Sequence, residues 1–465
     1  MTTPSIEPPG RDSRPTRPGS GRAGWIPAIG ILVSIALIAI ACSPGRDQEQ
    51  NSRPRILLIG IDGASPKVAF PMLKKGLLPH LSKIAADGIS GPLRSVLPLY
   101  SPRIWNTIAT GRRPAEHGIA AFVKSDSKGG KTLYQSSDRR VPSVWNIFSH
   151  ADRTVGVVNW WTTYPPEKIN GVMVSDHFFP EQITMIKKTF KDQNDSLGTL
   201  VHPESWSARG LELLADTTPL TDIPDPFAGN EALPHWVGSE LLSQFYRTDH
   251  EITQVARGLI ADYAPDITFV LLPGIDRISH WLWGNLESED LYPPNLRPTP
   301  SEREAGATAL RAYYAYTDAL IGRLIESYDE DDLILVMSDH GFEAGVSLML
   351  LTGEHDTRAA LDGVIFARGK GLAQSKATRG LNVFDIAPTL LAFAGLPIPS
   401  DMPGRPAAFI GIGDGAERIA TYDDLVIERH APSPSGREED IVEHLRALGY
   451  LEEESPQADP PKASP

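Results

Sequence analysis

The stretch from Ile56 to Asp62, "ILLIGID", is apolar without interruption until its last residue, a carboxylate followed at once by Gly63. A strand with one wet face alternates apolar and polar residues, whereas a strand covered on both faces reads as a continuous apolar run. Residues 56–61 therefore predict a doubly buried strand with Asp62 at its carboxyl end. Three further runs have the same character: "TVGVVNW" from Thr154, "DITFVLL" from Asp266 and "LILVMSD" from Leu333. Helical periodicity falls between them, over 78–86 and over 304–327, where Ala307, Leu310, Tyr314, Leu320 and Leu324 are among the apolar positions. "NVFDIAPTLLAFAG" from Asn382 reads as a late helix closed by Gly395. Buried strands alternating with helices predict an α/β fold, a central and mostly parallel sheet flanked by helices on both faces.

The chain has 465 residues, a formal net charge of −14, 41% hydrophobic residues and 22% charged ones. That length holds one large α/β domain with insertions, or two to three average domains. The acidic balance argues against a nucleic-acid-binding surface, because phosphate backbones are held by clustered Lys and Arg. It leaves phosphate-bearing substrates open, since a bound metal supplies positive charge locally.

Residues 1–23 are rich in Pro, Gly, Ser and Arg, and "WIPAIGILVSIALIAIAC" then runs to Cys42, the only cysteine. An apolar run of that length behind Arg17 and Arg22 reads as a signal peptide or membrane segment over 1–41. "AIAC" resembles the lipobox of bacterial lipoproteins, with Ala39 where leucine is usual, which implies lipidation at Cys42. An uncleaved anchor is the alternative. Both readings place the rest on the extracytoplasmic side of a membrane, periplasmic or at the cell surface. Residues 42–54 read as a flexible tether and 55–415 as the main α/β domain, with 181–245 a cap insertion. Residues 416–465 read as a helix, "EEDIVEHLRAL" from Glu438, and a disordered tail. A lone cysteine permits no intramolecular disulfide.

Acidic and imidazole residues recur where the apolar runs stop. Asp62 ends the first; Asp276 and His280 follow "FVLLPG"; Asp339 and His340 end "LILVM"; "TGEHD" supplies His355. Ligands of open α/β sheets bind outside the carboxyl ends of the strands. Asp oxygen and His nitrogen together have the composition of a Zn²⁺ site. The four-residue step from Asp276 to His280 puts both on one face of a helical turn. Asp339 and His340, adjacent at a strand exit into Gly341, can both aim at one centre. Each residue alone has a plainer reading as a cap or turn residue; six together do not. "LPLYSPRIWNTIATGRRPAEHGIAAF", residues 97–122, adds Ser101 at the mouth of a short helix, with no neighbouring His or carboxylate in sequence to take its proton. It reads either as an N-cap with Pro102 at the first helical position, or as a nucleophile activated from elsewhere.

The segments "LLIGIDGA", "SPRIWNTIATGRRPAEHGI", "PGIDRISH", "SDHGF", "GEHD" and "DIAPTLLAFAGLPIPSDMPGRP" are together similar to the alkaline phosphatase superfamily, in its type I phosphodiesterase/nucleotide pyrophosphatase branch. The resemblance spans roughly residues 55–410. It implies a phosphoric ester hydrolase with two divalent metal ions, normally zinc. One ion would be held by Asp276, His280 and His355, the other by Asp62, Asp339 and His340, with Ser101 the nucleophile at the latter and a phosphoserine intermediate. Two departures stand out. The family usually has threonine where Ser101 stands, and an asparagine that binds the phosphoryl oxygen where Phe122 stands; Lys124 or Arg103 are the candidates to replace it. Trp160, Trp161 and Tyr164, in "NWWTTYPPEKINGVMVSD", are candidates to line a substrate pocket. The substrate is then a small-molecule, lipid or glycan phosphoester. Transfer of a phospho-alcohol to a lipid or glycan acceptor is the alternative. A sulfatase is disfavoured by the single Asp after the first strand and by "SPRI", which lacks a residue of the C/S-x-P-S-R pattern. A non-catalytic binding protein is disfavoured by seven filled positions.

Overall fold

Residues 56–61 form β1 (Ile56–Ile61), buried at every position. The computed structural model describes residues 53–451 apart from 126–129, 180–198, 217–222, 229–232, 234–238, 295–296, 346–351, 373–379, 412–414 and 448–449. The chain divides into Met1–Arg53 and Pro54–Pro465, and the second unit carries everything below. The signal segment and Cys42 lie outside the described residues. Among those described, no helix is long and apolar enough to cross a membrane.

β1 belongs to an eight-stranded sheet with β2 (Ile89–Arg94), β3 (Val155–Val158), β4 (Gly171–Val174), β5 (Val201–His202), β6 (Ile267–Leu272), β7 (Leu333–Met337) and β8 (Asp362–Arg368). Their order across the sheet is β2-β8-β7-β1-β6-β3-β4-β5. β1 is parallel to both neighbours, with Ile56 opposite Ile267 on one side and Leu333 on the other. β3 is parallel to β6 and β4, so adjacent strands from β7 to β4 run the same way and end at one edge. β8 is antiparallel to β7 and β2, and β5 to β4.

The pleat sends alternate side chains to opposite faces. Leu57, Ile59 and Ile61 join one core layer, Ile56 and Leu58 the other. In chain order the helices are α1 (Pro66–Lys74), α2 (Pro79–Asp87), α3 (Ser101–Thr110), α4 (Pro114–His117), α5 (Val144–His150), α6 (Ser207–Ala215), α7 (Ser239–Tyr263), α8 (Gly274–Leu282), α9 (Pro300–Ile325), α10 (Ile386–Phe393) and α11 (Glu438–Ala447). α1, α2, α7, α8 and α9 bury residues against the first face, and α3, α5 and α10 against the second. The predicted helix over 304–327 starts earlier, at Pro300. Thr299 accepts from Glu302 N–H while Glu302 accepts from Thr299 N–H, a reciprocal cap that fixes the start.

The cap-insertion reading of 181–245 falls largely on positions outside the described residues. β5 extends the sheet edge, and Val201, Trp206, Leu242 and Phe245 are buried in the first core layer. The edge strand β2 escapes an apolar-run reading because its burial alternates and it holds Pro92, which an edge tolerates.

Candidate active site

The parallel strands deliver their last residues to one edge. Asp62 follows β1, and Gly63 turns the chain with φ of 70°, where a Cβ would lie 2.8 Å from the Asp276 backbone. Only glycine meets both demands cheaply. Asp339 and His340 leave β7, and α8 carries Asp276 and His280 one helical turn apart. Asp62, Asp339 and His340 form one group whose potential ligand atoms lie within 4.8 Å of one another; Asp276, His280 and His355 form a second. All six are buried. The groups adjoin: Asp276 Oδ1 is 3.7 Å from His355 Nε2 and 3.9 Å from His340 Nε2, and the His340 and His355 rings stack at 4.1 Å.

Ser101 opens α3, behind Tyr100 as N-cap. The cap reading of Ser101 is corrected by one residue: its hydroxyl donates to Asp62 Oδ1 at 3.1 Å. The carboxylate that the neighbouring sequence lacks comes from the end of β1. Asp62 Oδ2 accepts from the indole N–H groups of Trp105 (3.3 Å) and Trp161 (3.0 Å), which fix the carboxylate's orientation. Sequence reasoning missed Trp105, although its four-residue step from Ser101 on one helix face was a usable signal.

The hydrogen bonds around this cluster show what it suits. His340 Nδ1 faces the Gly341 carbonyl at 3.0 Å and His280 Nδ1 faces that of Gly353 at 3.1 Å. A carbonyl only accepts, so both Nδ1 atoms carry the proton and both Nε2 atoms present a lone pair. His340 Nε2 stands 3.4 Å from Asp339 Oδ2 and 3.5 Å from Asp62 Oδ1, acceptors facing an acceptor. It is buried without a hydrogen-bond partner, as are Asp339 Oδ2 and Asp276 Oδ1. Burial pushes the carboxyls of Asp276 and Asp339 well above the usual range, and the Asp62 charge adds to both. Burial likewise lowers His340 and, further, His355, which also feels His340 and His280. Converging lone pairs with no hydrogen between them are the donor set of divalent cations, and imidazole with carboxylate suits zinc among others.

The remaining candidates separate. Trp161 reaches Asp62 and lines a cavity with Pro102, Phe122, Leu133, Tyr134 and Ile441. Its volume of about 20 Å³ holds little more than one water. Trp160 is instead a core residue: it is fully buried, donates to the Trp105 carbonyl, and meets Trp105, Trp145 and Phe269 edge-on. Tyr164 stacks on His177 at 4.4 Å and bonds Ser433, so it too braces the fold. Lys124 pairs with Asp138, and Arg103 donates to the Leu97 carbonyl. Phe122 packs on Trp161 at 5.4 Å and on Tyr450 at 4.5 Å. Tyr450 is the other miss. Its hydroxyl contacts Asp276, His280 and His355, and nothing local in the sequence singles it out.

A family model described as type I phosphodiesterase / nucleotide pyrophosphatase matches residues 56–365. Among curated proteins, GPI ethanolamine phosphate transferase 3 of Eremothecium gossypii is 29% identical over 125 residues, 23% of this chain. The match spans 12% of that protein's length. Among solved structures, a 2-O GAG sulfatase has a TM-score of 0.50 at 13% identity, covering 77% of this chain and 75% of the sulfatase. A phosphonate monoester hydrolase from Silicibacter pomeroyi scores 0.43 at 17% identity, covering 77% of each chain. Murine ectonucleotide pyrophosphatase / phosphodiesterase 5 scores 0.42 at 11%, covering 76% of this chain and 97% of its own. At such identities the sulfatase likeness speaks for the fold alone.

Proposed function

The chain belongs to the type I phosphodiesterase/nucleotide pyrophosphatase family, and on that premise we propose that it hydrolyses phosphate diesters or related esters through a phosphoserine at Ser101, with two divalent metal ions. Family membership makes it a phosphoric ester hydrolase. The observation that carries the finer reading is the Ser101 hydroxyl, 3.1 Å from Asp62 Oδ1 beside two buried Asp/His groups. Asp276, His280 and His355 would hold one ion, and Asp62, Asp339 and His340 the other. Bound divalent ions, zinc in this proposal, supply positive charge that makes a serine hydroxyl acidic and neutralises phosphoryl oxygens.

Ser101 attacks phosphorus: the Oγ–P bond forms, the P–O bond to the leaving alcohol breaks, the hydroxyl proton passes to solvent and the leaving alkoxide takes a proton from water. Water then hydrolyses the phosphoserine, restoring Ser101 and releasing the phosphoryl product. The N-terminal end of α3 adds its dipole where the anion sits. Asp62 is held in place by Trp105 and Trp161. Phe122 stands where the family resemblance places an amide donor, and it turns that side of the site aromatic. This favours an ester with an apolar or aromatic alcohol over a nucleotide, from a small-molecule, lipid or glycan source.

Transfer of a phospho-alcohol to a lipid or glycan acceptor is the second reading, supported by the short match to the ethanolamine phosphate transferase. The proposed location is extracytoplasmic, tethered through acylated Cys42; a mass shift on Cys42 in membrane extracts tests it. For the chemistry, EDTA-stripped protein reloaded with Zn²⁺ or Mn²⁺ is assayed on bis-p-nitrophenyl phosphate, p-nitrophenyl phosphate, p-nitrophenyl sulfate and a nucleotide p-nitrophenyl ester. Metal-dependent turnover of the phosphoesters is expected, and metal-independent turnover rejects the mechanism. Ser101→Ala should lower the rate by at least ~10³-fold with metal content unchanged, as loss of a nucleophile does.

A further inference from the structure

At the start of α8 lies a buried carboxyl that the proposed chemistry leaves unused. Asp249 of α7 is fully buried, and among the described residues it forms no ion pair. Its Oδ1 accepts from the N–H of Gly274, the first residue of α8, at 3.1 Å. Its Oδ2 stands 3.0 Å from the hydroxyl of Tyr313 on α9, and that hydroxyl is also 3.0 Å from the Phe245 carbonyl. One hydroxyl proton serves one acceptor. An ionised Asp249 would leave two oxygens in contact with no hydrogen between them. A protonated Asp249 satisfies both contacts: its Oδ2–H donates to Tyr313, and Tyr313 donates to the Phe245 carbonyl. The surroundings agree with the neutral form. Burial pushes the Asp249 carboxyl up to about 7; Arg277 on α8 and the bonds from Tyr313 and Gly274 pull it down, and Asp62 after β1 pushes it up again. Tyr313 and Tyr316 face it from α9.

Resting on the two-metal reading above, we propose that Asp249, held as a neutral carboxylic acid, is the positioning residue for the ion held by Asp276, His280 and His355. The N-cap of α8 is Pro273, which offers no side-chain bond, so the helix has no cap of its own. Asp249 supplies one from α7 and fixes where the first turn of α8 stands. The fit leaves no slack: a Cβ on Gly274 would lie 2.0 Å from the Tyr313 hydroxyl oxygen and 2.4 Å from Asp249 Oδ2. Asp276 follows two residues after Gly274, and His280 one helical turn later. The Gly63 turn packs directly on Asp276, so a shift of α8 is felt at the end of β1 as well. A neutral acid holds the helix without adding another buried charge to the field of Asp62.

The test titrates the full-length chain, stripped of metal, with Zn²⁺ by calorimetry. The wild type should take two ions. Asp249→Asn puts one acceptor and one donor where the acid has them, so it should bind both ions as the wild type does. Asp249→Ala removes both bonds: one ion should bind unchanged and the other about 10–100-fold more weakly, the scale on which outer partners act. Unchanged binding by Asp249→Ala overturns the positioning role. An Asn variant as weak as the Ala variant overturns the neutral acid. Either result leaves the two-metal reading standing, whereas a wild type that takes up no ion overturns that reading and this one with it. Infrared difference spectra between wild type and Asp249→Asn, recorded below pH 7, should show a carboxylic C=O band, and a carboxylate signature there contradicts the proposal. Should Asp249→Ala fail to fold, as judged by melting of the stripped proteins, Tyr313→Phe carries the same comparison. It keeps the ring, removes the acid's acceptor, and should weaken the same single ion.

Discussion

His117, the last residue of α4, shows how a side chain in the signature motif can serve the fold. His117 is fully buried. Its Nδ1 accepts from the Ile119 N–H, so Nε2 carries the proton and donates to Thr107 Oγ1 on α3. Burial, then the charges of Arg139 and Arg103, lower its pKa from 6.5 to about 3. The unfolded chain binds this proton near 6.5 and the folded chain does not, so the neutral imidazole's contribution is complete above pH 6.5 and is lost as pH falls towards 3. Between pH 6.5 and 4.5 the wild type should lose about 2–3 kcal/mol through this group alone. Urea midpoints at the two pH values check it: His117→Gln should show the smaller drop, and equal drops would sink the assignment.

At the scale of elements, α3 is aimed by a buried ion pair rather than by its own sequence. Arg139 and Glu167 pair at 2.6 Å with neither side chain exposed. Burial alone would raise the Glu167 carboxyl; Arg139, Arg429 and the Trp145 and Asn146 hydrogen bonds outweigh it and hold it below its ordinary value. Arg139 then donates to Asn106 Oδ1 on α3 and to the Thr162 carbonyl, next to Trp161. Arg429 joins from the C-terminal segment at 3.0 Å. One network thus ties α3, the Asp62-orienting indole and the segment leading to α11. Glu167→Gln leaves Arg139 buried without its counter-charge, which costs about 3–5 kcal/mol. Chemical denaturation should show that loss; a change under 1 kcal/mol would mean the network is relieved by solvent.

For the whole molecule, five strands sharing one direction bring their carboxyl ends together, and the site inherits the cost of that gathering. Asp62, Asp276 and Asp339 crowd into a buried space with the lone pair of His340 facing them. A divalent cation relieves this only in the folded chain, so metal and stability are linked. Zn²⁺ at 100 times its Kd should add about 2.7 kcal/mol per site to unfolding, and EDTA should remove it. Scanning calorimetry of wild type and Ser101→Ala should give the same metal-dependent rise in Tm. A melting curve indifferent to metal would refute the two-ion site.

Much was legible from Ile56 onward because burial on two faces leaves an unbroken apolar run, and four of the parallel strands have one. β2 and β5 have none, since an edge strand alternates or is too short to pattern. Asp276 and His280 were readable as a pair through helical spacing, a local property. What the sequence alone determined was four of the parallel strands and the kinds of side chain at their carboxyl ends, because both are written in residues that are neighbours along the chain. Tertiary structure decided which of three aromatic candidates touches Asp62, that Asp62 supplies the carboxylate beside Ser101, and that Tyr450 reaches back 174 residues to Asp276. Those contacts join elements far apart in sequence, and only the packing of helices on the open eight-stranded sheet fixes their distances.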